Sequence, residues 1–296
     1  MKILISGLLN TETTSAVRGF PINYYPIDYN FFGVNTTVSG VAFNIAKALS
    51  TLGDQLTLIS MLGNDFAAGY ILNAVGELNI DTCFIKRILH QTPSSVVLYD
   101  PQGKRQIYCD LKNIQETDYD FDGLNLNNID AVIACNINFN RPLLKLAKSM
   151  GKLIATDVHV LSNVYDEYNR EFMEYSDILF LSDEGTGSEY VSFIRKLSVV
   201  YNNKIIVMGR GSKGVAMYQR ETDTIIEMPS FRVENVTNTV GAGDALFSAF
   251  MHFYLKGYTP VEALRRGQLF AALKIRENGA ANGFVTESEI EKMISE

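Results

Sequence analysis

The run Asn235-Val-Thr-Asn-Thr-Val-Gly-Ala-Gly-Asp-Ala-Leu-Phe-Ser-Ala-Phe250 changes character halfway along. Its first part reads as extended chain. After Gly241 the sequence becomes ALFSAFMHFYL, apolar on nearly every side, as in a helix buried within a core. The turn Gly241-Ala242-Gly243 therefore opens a buried helix. Its two glycines carry no Cβ, so main chain can approach a ligand closely, and the free N–H groups of the first helical turn point outward with the positive end of the helix dipole. Those features build an anion site from backbone. One carboxylate, Asp244, stands at its edge. Phosphates would repel it, so a hydroxyl nucleophile between the two gives both a purpose. Phosphoryl transfer needs in-line positioning, charge neutralisation and an acceptor for the nucleophile's proton. Asp244 would orient and deprotonate the hydroxyl, with a pKa held low by the helix N-terminus so that the proton arrives late in the reaction. The competing reading makes Asp244 an N-terminal cap of the helix and nothing more.

Outward from this segment, short apolar runs recur between amphipathic ones: KILIS at 2–6, LTLIS at 56–60, AVIAC at 131–135, KLIAT at 152–156, DILFL at 177–181 and KIIVM at 204–208. Continuous apolar runs suit strands covered on both faces. Helical patterns lie between them over 39–52, 67–78, 141–150 and 188–197, and the last third turns to helix over 243–256, 260–276 and 286–295. This alternation predicts an α/β fold with a mainly parallel central sheet, in one domain spanning 1–296. Two stretches break the rhythm. Residues 20–38 and 93–110 alternate apolar with polar positions, and the second has Pro101-Gln102-Gly103 between strand-like arms, a hairpin signal. They predict a small β lid drawn from roughly 12–38 and 91–112. Tyr24, Tyr25, Tyr29, Phe31 and Phe32 suit either stacking on a sugar or nucleobase or packing within the β layer. Lid edges also offer pairing to a second copy, so a homodimer through the lid is expected.

The chain of 296 residues has net charge −7 and no dense basic run, which excludes the electrostatic footprint of a nucleic-acid binder. No stretch reaches the roughly 18 apolar residues of a membrane helix, and the N-terminal apolar run reads as a first buried strand rather than a leader. Cys83, Cys109 and Cys135 are far apart, so neither a disulfide framework nor a zinc site is indicated, and a reducing cytoplasm is the expected location. His90, His159 and His252 form no cluster at metal-ligand spacing.

The stretch NTVGAGDALFSAF resembles the C-terminal signature D-T-x-G-A-G-D of the ribokinase-like, PfkB-type carbohydrate kinases. Two further segments match in order. Gly7-Leu-Leu-Asn10-Thr-Glu12 resembles the family's substrate-binding segment after the first strand, and Ser39-Gly40-Val-Ala-Phe-Asn44 followed by Leu52-Gly53 resembles its G-G-x-x-x-N helix start and L-G helix end. The resemblance implies a three-layer sandwich with a β lid, and ATP with Mg2+ acting on a sugar or nucleoside. It also leaves a monovalent cation open. It implies Asp244 as catalytic base, Gly241, Ala242 and Gly243 as the anion hole, and Asn10, Glu12, Gly40 and Asn44 facing the acceptor. Read from chemistry alone, an amide and a carboxylate at a strand end suit vicinal hydroxyls, while Asn44 in an apolar helix needs a partner that a backbone carbonyl would also supply.

Several positions depart from the family pattern. Asn238 stands where the signature has its first Asp, Ser39 replaces the first Gly and still suits a helix N-cap, and Glu12 replaces Asp. The family's N-x-x-E motif is absent; the corresponding stretch is Ser182-Asp183-Glu184-Gly185, so Asp183 or Glu184 would reach magnesium through water. That change motivates the alternative of a catalytically impaired relative that binds nucleotide or sugar as a sensor. The stretch Gly209-Arg210-Gly211-Ser-Lys-Gly214 fits G-x-G-x-x-G, but strand-like runs follow it where a dinucleotide fingerprint requires a helix. By resemblance Gly209, Gly211, Gly214 and Asn238 lie on the ATP side, with Arg210 beside them.

Overall fold

The computed structural model describes residues 1–102 and 104–295, so Gly103 of the expected Pro101-Gln102-Gly103 turn lies outside the described residues. Its elements run β1 (Lys2–Ser6), β2 (Asn10–Ala16), β3 (Val34–Ser39), α1 (Val41–Thr51), β4 (Gln55–Leu62), α2 (Phe66–Gly76), β5 (Ile85–Arg87), β6 (Ser94–Tyr99) and β7 (Arg105–Asp110). The middle of the chain contributes β8 (Ala131–Ala134), α3 (Arg141–Ser149), β9 (Leu153–Val160), α4 (Arg170–Tyr175), β10 (Ile178–Ser182), α5 (Tyr190–Val200) and β11 (Ile205–Gly209). It ends with β12 (Val215–Gln219), β13 (Thr224–Met228), α6 (Ala242–Leu255), α7 (Pro260–Lys274) and α8 (Glu287–Ser295).

Nine strands form one sheet in the order β13-β12-β11-β10-β9-β8-β1-β4-β5. Strands β11 to β5 are parallel, and β12 and β13 return antiparallel at one edge. The apolar runs are continuous because both faces are covered. Ile3 and Ile5 of β1, Ile178 and Phe180 of β10, and Ile205 and Val207 of β11 join α1, α6 and α7 in one core. Leu4, Leu179, Leu181, Ile206 and Met208 point the other way, against α3, α4 and α5. This is the expected three-layer sandwich. Helix α6 lies deepest: Ala245 through Phe253 are all buried, and Phe180 meets Phe247 and Phe250 edge-on at 4.9 and 5.3 Å. Each such aromatic burial is worth roughly 1.5–3 kcal/mol, so the start of α6 is anchored by the core beneath it.

The lid is a separate sheet in the order β3-β2-β6-β7, with β2 and β6 parallel and the outer pairs antiparallel. Its root is nearer the main sheet than expected: β2 begins at Asn10, three residues after Gly7, and so carries Asn10 and Glu12 itself. Residues 17–33 differ from the expectation of an alternating β segment. They hold no strand, and Tyr24, Tyr29, Phe31 and Phe32 are exposed, because the sheet offers them no second layer to pack against.

Helix α7 starts with a complete capping box. The Thr259 hydroxyl accepts from the Glu262 N–H at 3.3 Å, and the Glu262 carboxylate accepts from the Thr259 N–H at 2.9 Å. Thr259→Ala should cost about 1 kcal/mol of stability, read as a lower denaturant midpoint with turnover per folded molecule unchanged.

Candidate active site

Gly241 is the N-cap of α6, with φ of +80°. A Cβ there would lie 2.2 Å from the Ala280 carbonyl oxygen, so the chain itself demands glycine. Gly243 is different. It has ordinary φ, it is exposed, and its nearest neighbour to a built Cβ is the Asp157 carboxylate at 4.0 Å, so nothing in the fold itself requires glycine there. The preceding loop is tied down. The Asn238 side chain accepts from the Val240 N–H at 2.8 Å, and the Thr237 and Asn238 N–H groups both reach the Ile275 oxygen, at 2.9 and 3.2 Å. Asn238 thus shapes the loop that leads into the start of α6.

Asp244 does not cap α6, which has no side-chain cap at all. Its Oδ2 instead accepts from Asn44 Nδ2 at 2.7 Å, across the contact between α1 and α6. That also settles the partner of Asn44, which is a side chain and not a backbone carbonyl. The expected low pKa is corrected. Asp244 is raised above the ordinary aspartate value, chiefly by burial; His159 and the Asn44 hydrogen bond oppose the shift, Asp157 adds to it, and Lys274 opposes it. Desolvation outweighs the helix dipole, whose influence is a fraction of a charge.

Three buried acceptor atoms, on β2 and on the Asn44 side chain that holds Asp244, have no partner: Asn10 Oδ1, Glu12 Oε1 and Asn44 Oδ1. Asn10 and Glu12 share one face of β2, and Asn10 is held by its amide nitrogen donating to Ser95 Oγ at 3.2 Å. Ser39 is not the N-cap of α1 as expected. Gly40 takes that place, and the Ser39 hydroxyl donates to Glu12 Oε2 at 3.5 Å. Burial raises the Glu12 pKa, against the lowering effect of that hydroxyl. Gly40 has φ of +99°, and a Cβ would meet the Leu8 oxygen at 2.4 Å, so its first duty is to the fold.

At the glycine-rich turn after β11, Gly209 ends that strand and Gly214 closes the hairpin into antiparallel β12, its missing Cβ replaced by the Met228 oxygen at 2.0 Å. That topology rules out a dinucleotide fingerprint, while Gly211 has open space beside it. Arg210 pairs with Glu227 at 2.8 Å and stacks 3.7 Å from the Tyr190 ring. Asp183 and Glu184 form a short 3-10 turn at the end of β10, held by Ser182 Oγ accepting from the Glu184 N–H. Among the described residues no group of three or more His, Cys, Asp or Glu side chains could hold a metal ion. Sequence reasoning missed Asp157, His159 and Lys274, which all act electrostatically on Asp244. A surface cavity of about 510 Å³ lined by Met1, Lys2, Gln55 and Asp130 lies at the opposite, amino-terminal end of the strands and takes no part in this constellation.

The two glycines can be told apart. Gly241→Ala should destabilise the fold by at least ~1–2 kcal/mol, through left-handed strain and the clash with Ala280. Gly243→Ala should leave the unfolding midpoint nearly unchanged and act on turnover alone.

The sequence profile of the pfkB family carbohydrate kinases matches residues 2–287. Among curated proteins, the 5-dehydro-2-deoxygluconokinase of Clostridium beijerinckii is 24% identical over 323 residues, covering 93% of this chain and 92% of the relative. Among solved structures, a microbiome-derived acarbose kinase superposes with a TM-score of 0.88 at 20% identity, over 100% of this chain and 99% of the other. A ribokinase of Arabidopsis thaliana complexed with ribose and ATP gives 0.81 at 19% identity, over 99% and 98%. With the family pattern spanning nearly every residue and the three-layer fold with its β lid in place, the chain belongs to the pfkB family of carbohydrate kinases.

Proposed function

We propose that this chain transfers the γ-phosphoryl group of ATP to a hydroxyl of a sugar or nucleoside, with Asp244 as the general base. One observation carries the reading: a partly exposed carboxylate is pinned by Asn44 at the start of α6, and three buried oxygen acceptors, on β2 and on Asn44, have nothing to accept. Each unpaired acceptor costs about 1–3 kcal/mol in the empty protein. A polyol is a row of O–H donors, so it relieves all three at once, whereas an apolar or purely accepting ligand relieves none. Asn10 and Glu12 then hold neighbouring hydroxyls while the reacting one lies against Asp244.

The amides of Gly241 and Gly243, which have no partner among the described residues, would face the charge that develops on the transferring group, as preorganised donors do, while the Ala242 N–H is turned back onto the Thr239 oxygen at 3.2 Å and holds the turn in shape. Gly209, Gly211, Gly214 and Asn238 line the nucleotide side. Hard oxygen donors suit Mg2+; Asp157 lies within β9, and Asp183 and Glu184 follow directly on β10; with no three-ligand nest among the described residues, they would hold it through water while ATP would supply direct ligands. The ion would neutralise phosphate charge. The ribokinase neighbour complexed with ribose and ATP supports both the nucleotide and a sugar acceptor. An impaired sensor is not favoured, because Asp244 and the whole Gly-Ala-Gly turn are present in a working arrangement. The exposed edge of β7 supports pairing of two copies through their lids. Three free cysteines support a reducing, cytoplasmic setting, and no helix among the described residues is long and apolar enough to cross a membrane.

ADP release measured across a panel of sugars, sugar acids and nucleosides should identify an acceptor; binding without turnover throughout the panel would instead establish the sensor. Asp244→Asn should lower kcat on the order of 10²-fold or more with ATP affinity retained, and near-normal turnover would remove Asp244 from the mechanism. The base works only when ionised, and its pKa is raised, so kcat should fall on the acid side at a pH above the ordinary aspartate value of 3.8. Asn44→Ala removes a hydrogen bond that favours the ionised form, which should move that acid limb to higher pH.

A further inference from the structure

Lys274 is the last residue of α7 and is 0% exposed. Lysines are almost never sealed in this way unless paired. Yet among the described residues no carboxylate reaches its Nζ within 4.0 Å. The ammonium instead donates to the main-chain oxygen of Val240. That oxygen belongs to the peptide whose nitrogen is Gly241, the cap of α6. A trans peptide is planar, with C=O and N–H pointing in opposite directions. Holding the Val240 oxygen towards α7 therefore turns the Gly241 N–H away from it, towards the open turn, and that N–H has no partner among the described residues.

The segment just after Lys274 completes the clamp. The Ile275 oxygen takes two N–H groups of the same loop, and the Ala280 oxygen fills the space a Gly241 side chain would need. Charge adds to geometry. Burial pulls the Lys274 pKa down to about 8, against the opposing pull of Asp244 and Glu12, so the ammonium lies in the field of both carboxylates. It is a buried positive charge that touches the loop leading into α6 and acts on both carboxylates. Asn238 is neutral, so this loop brings no carboxylate of its own that would call for a mobile counter-ion.

We propose that Lys274 is a positioning residue for phosphoryl transfer: its ammonium does at the Val240 carbonyl what a bound monovalent cation would do there, so this enzyme turns over without one. The proposal rests on the Gly241–Gly243 turn being the transfer site. It answers, for this chain, the cation that the family resemblance leaves open.

The test uses the full chain and the acceptor found by ADP release. Wild-type kcat in potassium, sodium or tetramethylammonium chloride at equal ionic strength should agree within about twofold, and activation by potassium of about tenfold or more would overturn the idea. Lys274→Met, shown to be folded by its unfolding transition, should lose on the order of 10²-fold in kcat with acceptor KM little changed. Added ammonium or methylammonium should restore part of that loss, which a merely structural lysine would not allow. Undiminished kcat, a loss confined to KM, or a failure of every small cation to rescue each counts against it. If Lys274→Met does not fold, the wild-type salt series decides alone. If no acceptor is found, the transfer reading itself has failed, and calorimetry still tests the lysine: Lys274→Met should weaken ATP on the order of tenfold relative to ADP, and equal affinities would refute it.

Discussion

A single hydrogen bond, from Asn44 to Asp244, joins side chains 200 residues apart and brings the starts of α1 and α6 together. Both helices begin at a glycine with positive φ, Gly40 and Gly241, and neither has a side-chain cap. In each case a backbone carbonyl, of Leu8 or Ala280, occupies the place a Cβ would take. Two helix N-termini thus lack side-chain caps, and main chain packs closely against the glycine that begins each of them. Serine or aspartate caps would have satisfied their amides and removed their use as ligand groups. The arrangement is tolerable only because α6 is buried on all sides, so that its first turn cannot fray.

The site is also electrostatically tense. Asp244 and Glu12 are both raised by burial, and Lys274 is lowered by it. None of the three forms an ion pair with another. Burial therefore works against the charged form of each of them, and the weaker coulombic pull between the lysine and the two carboxylates opposes it. Asp244 gains from this. A carboxylate with a raised pKa is a stronger base, while one held low by a helix dipole would accept a proton only reluctantly. In the proposed mechanism the helix N-terminus would serve the phosphate and desolvation the base.

Most of the fold was legible because covered strands cannot hide: KILIS, DILFL and KIIVM are apolar without interruption only since helices lie on both faces of the sheet. Asp244 was legible from its place beside a glycine turn that opens a buried helix, Asn44 because an amide in an apolar helix needs a partner, and Asn10 and Glu12 from their place at a strand end and the family resemblance. What escaped was set by tertiary context. Ser39 looks like a cap until Gly40 is seen to turn with φ of +99°. The aromatic run at 24–32 alternates as a strand would, but finds no layer to cover it. Lys274, within AALKIR, looks like any solvated lysine at a helix end, where it would favour the dipole. Only the return of residues 237–241 over the end of α7 buries it, and no local pattern announces that return.

The lid's construction ties recognition of the acceptor to the lid's own position. Strand β2 leaves the main sheet almost directly, and its first and third residues, Asn10 and Glu12, are the groups with unpaired acceptors. Their backbones are fixed by pairing to Ser39 and Thr37 of β3 and, through Thr11 and Thr13, to Ser94 and Val96 of β6. From the far strand, Arg105 of β7 reaches the Thr239 hydroxyl at 3.4 Å, two residues before the cap of α6. The lid therefore carries Asn10 and Glu12 at its root and meets the loop before α6 at its edge. Displacing it would move those two side chains and break the Arg105 contact together, so under the proposed function acceptor recognition and closure over the phosphates would be one mechanical event rather than two.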